Sequence, residues 1–338
     1  MNLHTPPPAF FFLKHINKFR WLTLTLVFGL LIALPYISLY QNFRAAHAYD
    51  FLPPSDVRIY DAVEWLTAPF IHTHEASELN AIKGNTWSGT LFGLKLSDPL
   101  TLVSQMATQL QVYWPLILTV LLPIGLTVLF GRFYCGWICP ATFLYELFDK
   151  LRLLLLRSGI PLGAVRLDLR LKYLVLAIGI ALSTALGTVV FSAIYPPAII
   201  GRELQYWITV NSIGAGSTFF AVTLLFDLLV SRRGFCRYLC PGGALYSLLG
   251  RYRLLRIQRL PNHCNDCTLC NRECQFGLKP MRDEFGQECN NCTACIAVCP
   301  TQALTFKITP KDQSYQGHGH LGPAYKRTQV TMDKEKVN

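Results

Sequence analysis

The sequence predicts a mainly α-helical protein: a four-helix transmembrane bundle built as a parallel duplication, followed by a small C-terminal α+β module organised by cysteines. Three observations predict it. The 338-residue chain is 51% hydrophobic and only 15% charged, which is too apolar for an ordinary soluble protein. A cysteine–proline motif recurs at a constant offset of 101 residues. Eight of the twelve cysteines crowd between Cys264 and Pro300, in two copies of one spacing.

Four uncharged runs supply the bundle: Trp21 to Tyr40, Gln111 to Phe130, Tyr173 to Gly201 and Leu204 to Phe226. Each is near or above the roughly 20 helical residues that cross the hydrocarbon of a bilayer. Four spans put both termini on one side, and the basic residues say which. Residues 1–20 carry Lys14, Lys18 and Arg20 with no acid, and residues 131–172 carry seven basic residues against Glu146, Asp149 and Asp168. Residues 41–110 carry only four basic residues against seven acids. The positive-inside rule therefore places both termini in the cytoplasm of a bacterium, with the chain a multi-pass protein of its inner membrane. The net charge of +11 tracks these loops, which speaks against nucleic acid as a partner. The first run has a longer apolar core than a signal peptide, so it reads as an uncleaved anchor despite the small residues Ala46 and Ala48 after it.

The expected organisation is a cytoplasmic segment 1–20, a membrane domain 21–260 with an outer loop at about 41–110, a cysteine module 261–310 and a disordered tail 311–338. In the module, Cys264, Cys267, Cys270 and Cys274 repeat 25 residues later as Cys289, Cys292, Cys295 and Cys299. The run C-x2-C-x2-C-x3-C, with Pro300 after the second copy, is the spacing of bacterial two-cluster ferredoxins, in which the fourth cysteine of each run ligates the other cluster. One expected [4Fe–4S] cluster thus takes Cys264, Cys267, Cys270 and Cys299, and the other takes Cys289, Cys292, Cys295 and Cys274. Zinc would ask for paired C-x2-C units, and disulfides are rare in a reducing compartment. Gln275 stands where the first run would ordinarily carry proline.

The recurring motif follows the second and fourth runs. Cys135-Gly136-Trp137-Ile138-Cys139-Pro140 aligns with Cys236-Arg237-Tyr238-Leu239-Cys240-Pro241, and Tyr145 and Arg152 align with Tyr246 and Arg253. Each half is two spans, a C-x3-C-P turn and a basic amphipathic helix, at about 141–157 and 242–259, expected in the inner interface with Lys150, Arg152, Arg157, Arg251, Arg253 and Arg256 toward lipid phosphates. Proline at the first turn sets the cysteines ahead of a helix N-terminus, where partial positive charge favours thiolate. Cys135, Cys139, Cys236 and Cys240 are candidates for a further iron centre or a redox-active thiol pair, with simple packing as the alternative.

Between the third and fourth runs, Pro196-Pro197 precedes Arg202-Glu203, which suggests a broken or re-entrant turn at the outer face. Arg202, Glu203 and His47 are candidate quinone contacts, with Glu203 alternatively serving as the partner of Arg202. His72 and His74 are spaced for a metal without a visible third ligand, and Asp227 is expected to pair with Arg232 or Arg233. All eight histidines lie outside the four runs and no C-x-x-C-H is present, which argues against membrane haem b and against haem c.

Together, the two span-terminal C-x3-C-P motifs, the stretch Phe226-Asp227-Leu228-Leu229 leading into the second of them, and the eight module cysteines resemble the NapH/MauN-type membrane iron–sulfur proteins over roughly residues 95–310. The resemblance implies a quinol dehydrogenase membrane subunit. Such a protein oxidises quinol from the membrane pool and passes electrons through two [4Fe–4S] clusters to another iron–sulfur or cytochrome subunit. The alternative is a reductase or maturation and regulatory factor fed with cytoplasmic electrons and serving a periplasmic metalloenzyme. Composition and spacing alone support only membrane-bound electron transfer.

Overall fold

The structure is a computed structural model that describes residues 9–45, 54–67, 89–91, 94–111 and 114–311. It opens with a 37-residue helix, Ala9–Ala45. Within it, His15–Ile37 is long and apolar enough to cross a membrane, and among the described residues no other helix is. The helix has two apolar faces. Leu24 and Leu31 are buried against the rest of the protein, while Leu22, Leu26 and Leu30, four residues apart, are exposed. His47, His72, His74 and most of the outer loop lie outside the described residues, as does the tail from residue 312.

The other three predicted runs are shorter as helices than as apolar sequence. They become Trp114–Phe130, Leu171–Leu186 and Ala215–Leu229, of 17, 16 and 15 residues. The run 173–201 does not continue as one helix, because Gly187 adopts a left-handed conformation (φ 62°) at the end of Leu171–Leu186, a position glycine takes without steric cost. The double proline starts a helix instead of breaking one. Pro196–Val210 carries proline in its first turn, where the missing N–H is no loss. That helix ends at left-handed Asn211, which cuts the run 204–226 in two.

Around the C-x3-C-P motifs the chain repeats its local backbone. The short helix Phe133–Trp137 and the π-type turn Phe235–Leu239 each close onto a cysteine, with Cys139 N–H donating to Tyr134 O and Cys240 N–H to Phe235 O at 3.0 and 2.9 Å. Cys139 and Cys240 share one conformation, φ/ψ −59°/118° and −67°/115°. Each precedes a proline-started helix, Pro140–Arg157 and Pro241–Leu249. The second is half the expected length, because Gly250 packs against the Gly131 backbone, within 3.0 Å of where a Cβ would stand, and the chain turns off there.

Beyond that turn the chain runs as strand Leu255–Arg259 instead of more helix. The strand pairs antiparallel with Leu304–Ile308, Leu255 opposite Ile308 and Arg259 opposite Leu304, so the chain ahead of the cysteine runs is tied to the chain behind them. Its two short helices, Leu269–Glu273 and Ala294–Val298, are each entered through a left-handed threonine, Thr268 or Thr293, and each is followed directly by a cysteine, Cys274 or Cys299. Ile257, Met281, Phe285, Ile296 and Leu304 form the core between them.

The module docks where the helix Trp114–Phe130 ends. The last carbonyls of a helix have no partner within it; here Leu129 O accepts from Leu254 N at 3.0 Å and Phe130 O from the Asn291 amide at 2.9 Å. The same need corrects the expected orientation of the basic residues. Lys150, Arg157 and Arg251 are exposed, but Arg152, Arg253 and Arg256 are buried and serve carbonyls. Arg152 donates to Asp227 O, Leu228 O and Gly163 O, Arg253 to Gly286 O at 2.7 Å and Cys289 O at 3.4 Å, and Arg256 to Arg251 O, Thr309 O and Pro310 O. Asp227 does not pair through its side chain with the arginines expected: Arg232 binds Asp149, Arg233 binds Glu146, and Asp227 accepts from Phe235 N at 2.8 Å.

Arg253→Ala removes the donor to two module carbonyls at a cost of about 1–3 kcal/mol for each group left unsatisfied. Its expected effect is a lower melting temperature and faster proteolytic release of a fragment carrying residues 255–311; an unchanged release rate would show that the arginine does not hold the module.

Candidate functional site

Twelve cysteines line three small cavities, four to each. Cys264, Cys267, Cys270 and Cys299 surround one, and Cys274, Cys289, Cys292 and Cys295 surround a second. In each set three cysteines come from one run and one from the other. Crowding is felt electrostatically. Burial pushes the Cys270 thiol up to about 12, reinforced by Cys264, Cys299 and Cys267, and Cys274 is pushed up to about 12 by burial and then by Cys292 and Cys289. Four thiolates so placed repel one another unless a cationic centre sits among them. Four cysteines on one cavity match the ligand number of a [4Fe–4S] cluster.

The third cavity brings together Cys135, Cys139, Cys236 and Cys240. The repeated backbone explains the convergence, since each proline-started helix aims its preceding turn at the same space. Gly243 N donates to the Cys240 sulfur at 3.3 Å. Arg132 and Arg233 line this cavity too, with Tyr134, Tyr145, Tyr195 and Phe276. Phe276 also lines the second cavity, so one ring is a wall of both. Gly136, inside the first C-x3-C, lies so close to the module that a Cβ would stand 2.6 Å from Asn290 O.

The join between helices and module is a buried ionic network that sequence reading did not single out. Glu288 accepts from Arg132 at 2.7 Å, from Lys172 and from Tyr173 at 2.8 Å. Burial opposes ionisation of its carboxyl, yet Arg132 and then Lys172 outweigh this and hold it below the usual range. On the other side, Glu146 takes Arg20 at 2.7 Å and Arg233 at 2.9 Å. The one signal for these residues was positional: Arg132 and Arg233 stand 101 residues apart, in register with the motifs. Of the candidate quinone contacts, Arg202 lies 3.5 Å from Glu203. Glu203 also accepts from Gly214 N at 2.7 Å and the Ser217 hydroxyl at 2.9 Å, satisfying donors at the start of helix Ala215–Leu229. Neither residue reaches a cysteine cavity, and His47 is outside the described residues.

A family model described as a 4Fe-4S binding domain matches residues 112–161 and 213–261, the two segments that carry the C-x3-C-P motifs. The chain is 34% identical over 200 residues to the methylamine utilization ferredoxin-type protein MauN of Methylorubrum extorquens, covering 57% of this chain and 65% of that protein. It is 29% identical over 199 residues to the ferredoxin-type protein NapH of Escherichia coli, again 57% of this chain and 65% of that protein. It is 31% identical over 196 residues to an uncharacterized protein of Methanocaldococcus jannaschii, covering 56% of this chain and 77% of that protein. The chain thus spans just under two thirds of the MauN and NapH relatives. No solved structure matches it. With both C-x3-C-P segments inside the matched family model and this identity to its relatives, the chain belongs to the family of ferredoxin-type iron–sulfur proteins that includes MauN and NapH.

Proposed function

We propose that this chain is a membrane-embedded electron carrier that oxidises quinol and delivers the electrons, one at a time, to a cytoplasmic-side redox partner. The observation that carries the reading is the series of three four-cysteine cavities leading outward from the helices. The innermost shares Phe276 with the next, and the last includes Cys267, the one exposed cysteine among the twelve. Cys274, Cys289, Cys292 and Cys295 would hold one [4Fe–4S] cluster and Cys264, Cys267, Cys270 and Cys299 the other. Cys135, Cys139, Cys236 and Cys240 would hold an additional metal or redox centre. When bound, such clusters supply reversible one-electron transfer at potentials set by ligand charge, hydrogen bonds to sulfur and solvent access. The chain's own part is to exclude water and fix the ligands: Ile257, Met281, Phe285 and Leu304 close the module around the thiols, and amides such as Ala303 N, 3.3 Å from the Cys299 sulfur, donate to them.

Membrane embedding as a four-span duplicated bundle is supported by outward faces that are apolar on every long helix. Leu118, Leu122 and Leu126 on one helix, Leu174, Ile178, Leu182 and Leu186 on another, and Val222, Leu225 and Leu229 on a third are exposed at four-residue or near four-residue spacing, a pattern water does not favour and lipid does. The helices of 15–17 residues fall at or just below the short end of the spanning range, about 17–25 residues, and would cross a locally thinned bilayer. Each half then contributes two helices and one C-x3-C-P turn, with both termini in the cytoplasm.

The full chain, purified anaerobically and reconstituted with iron and sulfide, is expected to hold about eight iron atoms in its two module clusters, together with any in the four-cysteine centre; bound zinc without sulfide would overturn the assignment. Adding a quinol analogue should reduce the clusters, and Cys139→Ser should abolish that reduction while the module's iron content persists. Quinol that leaves the unmodified protein oxidised points to the alternative direction, with cytoplasmic electrons entering at the module. Cysteine labels introduced at Ser77 and Ser314 should react from opposite sides of the membrane, and labelling of both from one side would sink the four-span topology.

A further inference from the structure

We propose that Arg132 and Arg233 form a paired cationic clamp for a dianionic group held by the four thiolates of the C-x3-C-P turns, and that the clamp raises the reduction potential of that group. The inference rests on the reading of those cysteines as a redox centre. The two arginines occupy equivalent places, 101 residues apart, and both line the cavity, whose lining contains no carboxylate. They are 1% and 3% exposed. A guanidinium that deep requires compensation, and each of these shares its carboxylate: Arg132 divides Glu288 with Lys172, and Arg233 divides Glu146 with Arg20. Each ion-paired set thus has two cations to one carboxylate.

The nearby buried carboxylates turn elsewhere. Asp98 accepts from Leu100 N and from the hydroxyls of Tyr195 and Tyr246, and Asp227 accepts from Phe235 N. The Nε atoms of both Arg132 and Arg233 have no hydrogen-bond partner among the described residues. Orphaned charged donors at two matching points of one cavity wall are expected where an anion belongs. A thiol pair or a disulfide is neutral and would leave that wall uncompensated. An iron–sulfur group ligated by four thiolates is dianionic when oxidised and gains one further negative charge on reduction, so an adjacent guanidinium stabilises the reduced form more than the oxidised one.

The test uses the full chain in detergent, loaded anaerobically with iron and sulfide, and tracks potentials by EPR-monitored redox titration; the signal of the four-cysteine centre is the one that Cys139→Ser removes. Arg132→Gln and Arg233→Gln should each make that centre harder to reduce by about tenfold in the one-electron equilibrium constant, about 59 mV toward negative potential. Arg233→Lys should recover most of the shift. Glu146→Gln, which leaves Arg20 and Arg233 without their shared carboxylate, should move the potential the opposite way, a sign reversal that a purely structural role does not produce. Where the arginine variants do not assemble, Glu146→Gln decides alone, and an unmoved potential there overturns the clamp. If the signal is present and neither Arg132→Gln nor Arg233→Gln moves it, the clamp is wrong and the centre stands. If Cys139→Ser removes neither iron nor signal, the centre itself is absent and the clamp goes with it.

Discussion

Glu288 is the residue on which the arrangement turns. It sits between the module's Gln287 and Cys289, yet its partners Arg132, Lys172, Tyr173 and Ser247 all belong to the helical half. Each buried ion costs several kcal/mol to desolvate, and removing one partner of such a set is more damaging than never having built it. The carboxylate therefore fixes one relative position of module and helices. That position sets the distance between Phe276, in the module, and the cysteines of the C-x3-C-P turns.

A repeated sequence has here produced repeated geometry with divergent uses. Arg152 and Arg253 are equivalent positions and both donate to backbone carbonyls, but the first caps helix Ala215–Leu229 of the other half and the second grips the module. Tyr145 and Tyr246 are likewise equivalent and buried; one bonds Thr223 and the other Asp98. Only the elements that face the central cavity, the cysteines, the prolines and Arg132 with Arg233, keep one role in both halves.

Spacing was the most legible part of the sequence. The 25-residue and 101-residue offsets located every cysteine that lines a cavity, and the three-plus-one grouping of the module cysteines around each cavity matches the crossing that the two-cluster ferredoxin spacing carries. Helix lengths were less legible. Apolar composition continues through Gly187 and Asn211, but backbone conformation does not, since a single left-handed residue ends a helix regardless of the hydrophobicity on either side. The inward arginines were misassigned for a related reason: charge next to an apolar run suggests lipid phosphates, whereas the unpaired carbonyls at helix ends compete for the same donors and can be served only from inside. The ionic sets around Glu146 and Glu288 had no local signature, because the residues each carboxylate pairs with lie far from it in sequence, Arg233 from Glu146 and Arg20 from Glu146 no less than Lys172 and Arg132 from Glu288.

The crossing of the module cysteines also orders events on the ribosome. Cys274, which belongs with the later run, has left the exit tunnel before Cys289 appears, so that set is complete as soon as Cys295 emerges. Cys264, Cys267 and Cys270 must wait for Cys299, and the strand that closes over them, Leu304–Ile308, comes later still. The module's first three cysteines to be synthesised are thus the last to be enclosed, and through that interval they stand open to solvent. A nascent chain stopped before residue 299 could complete the inner site but never the outer one.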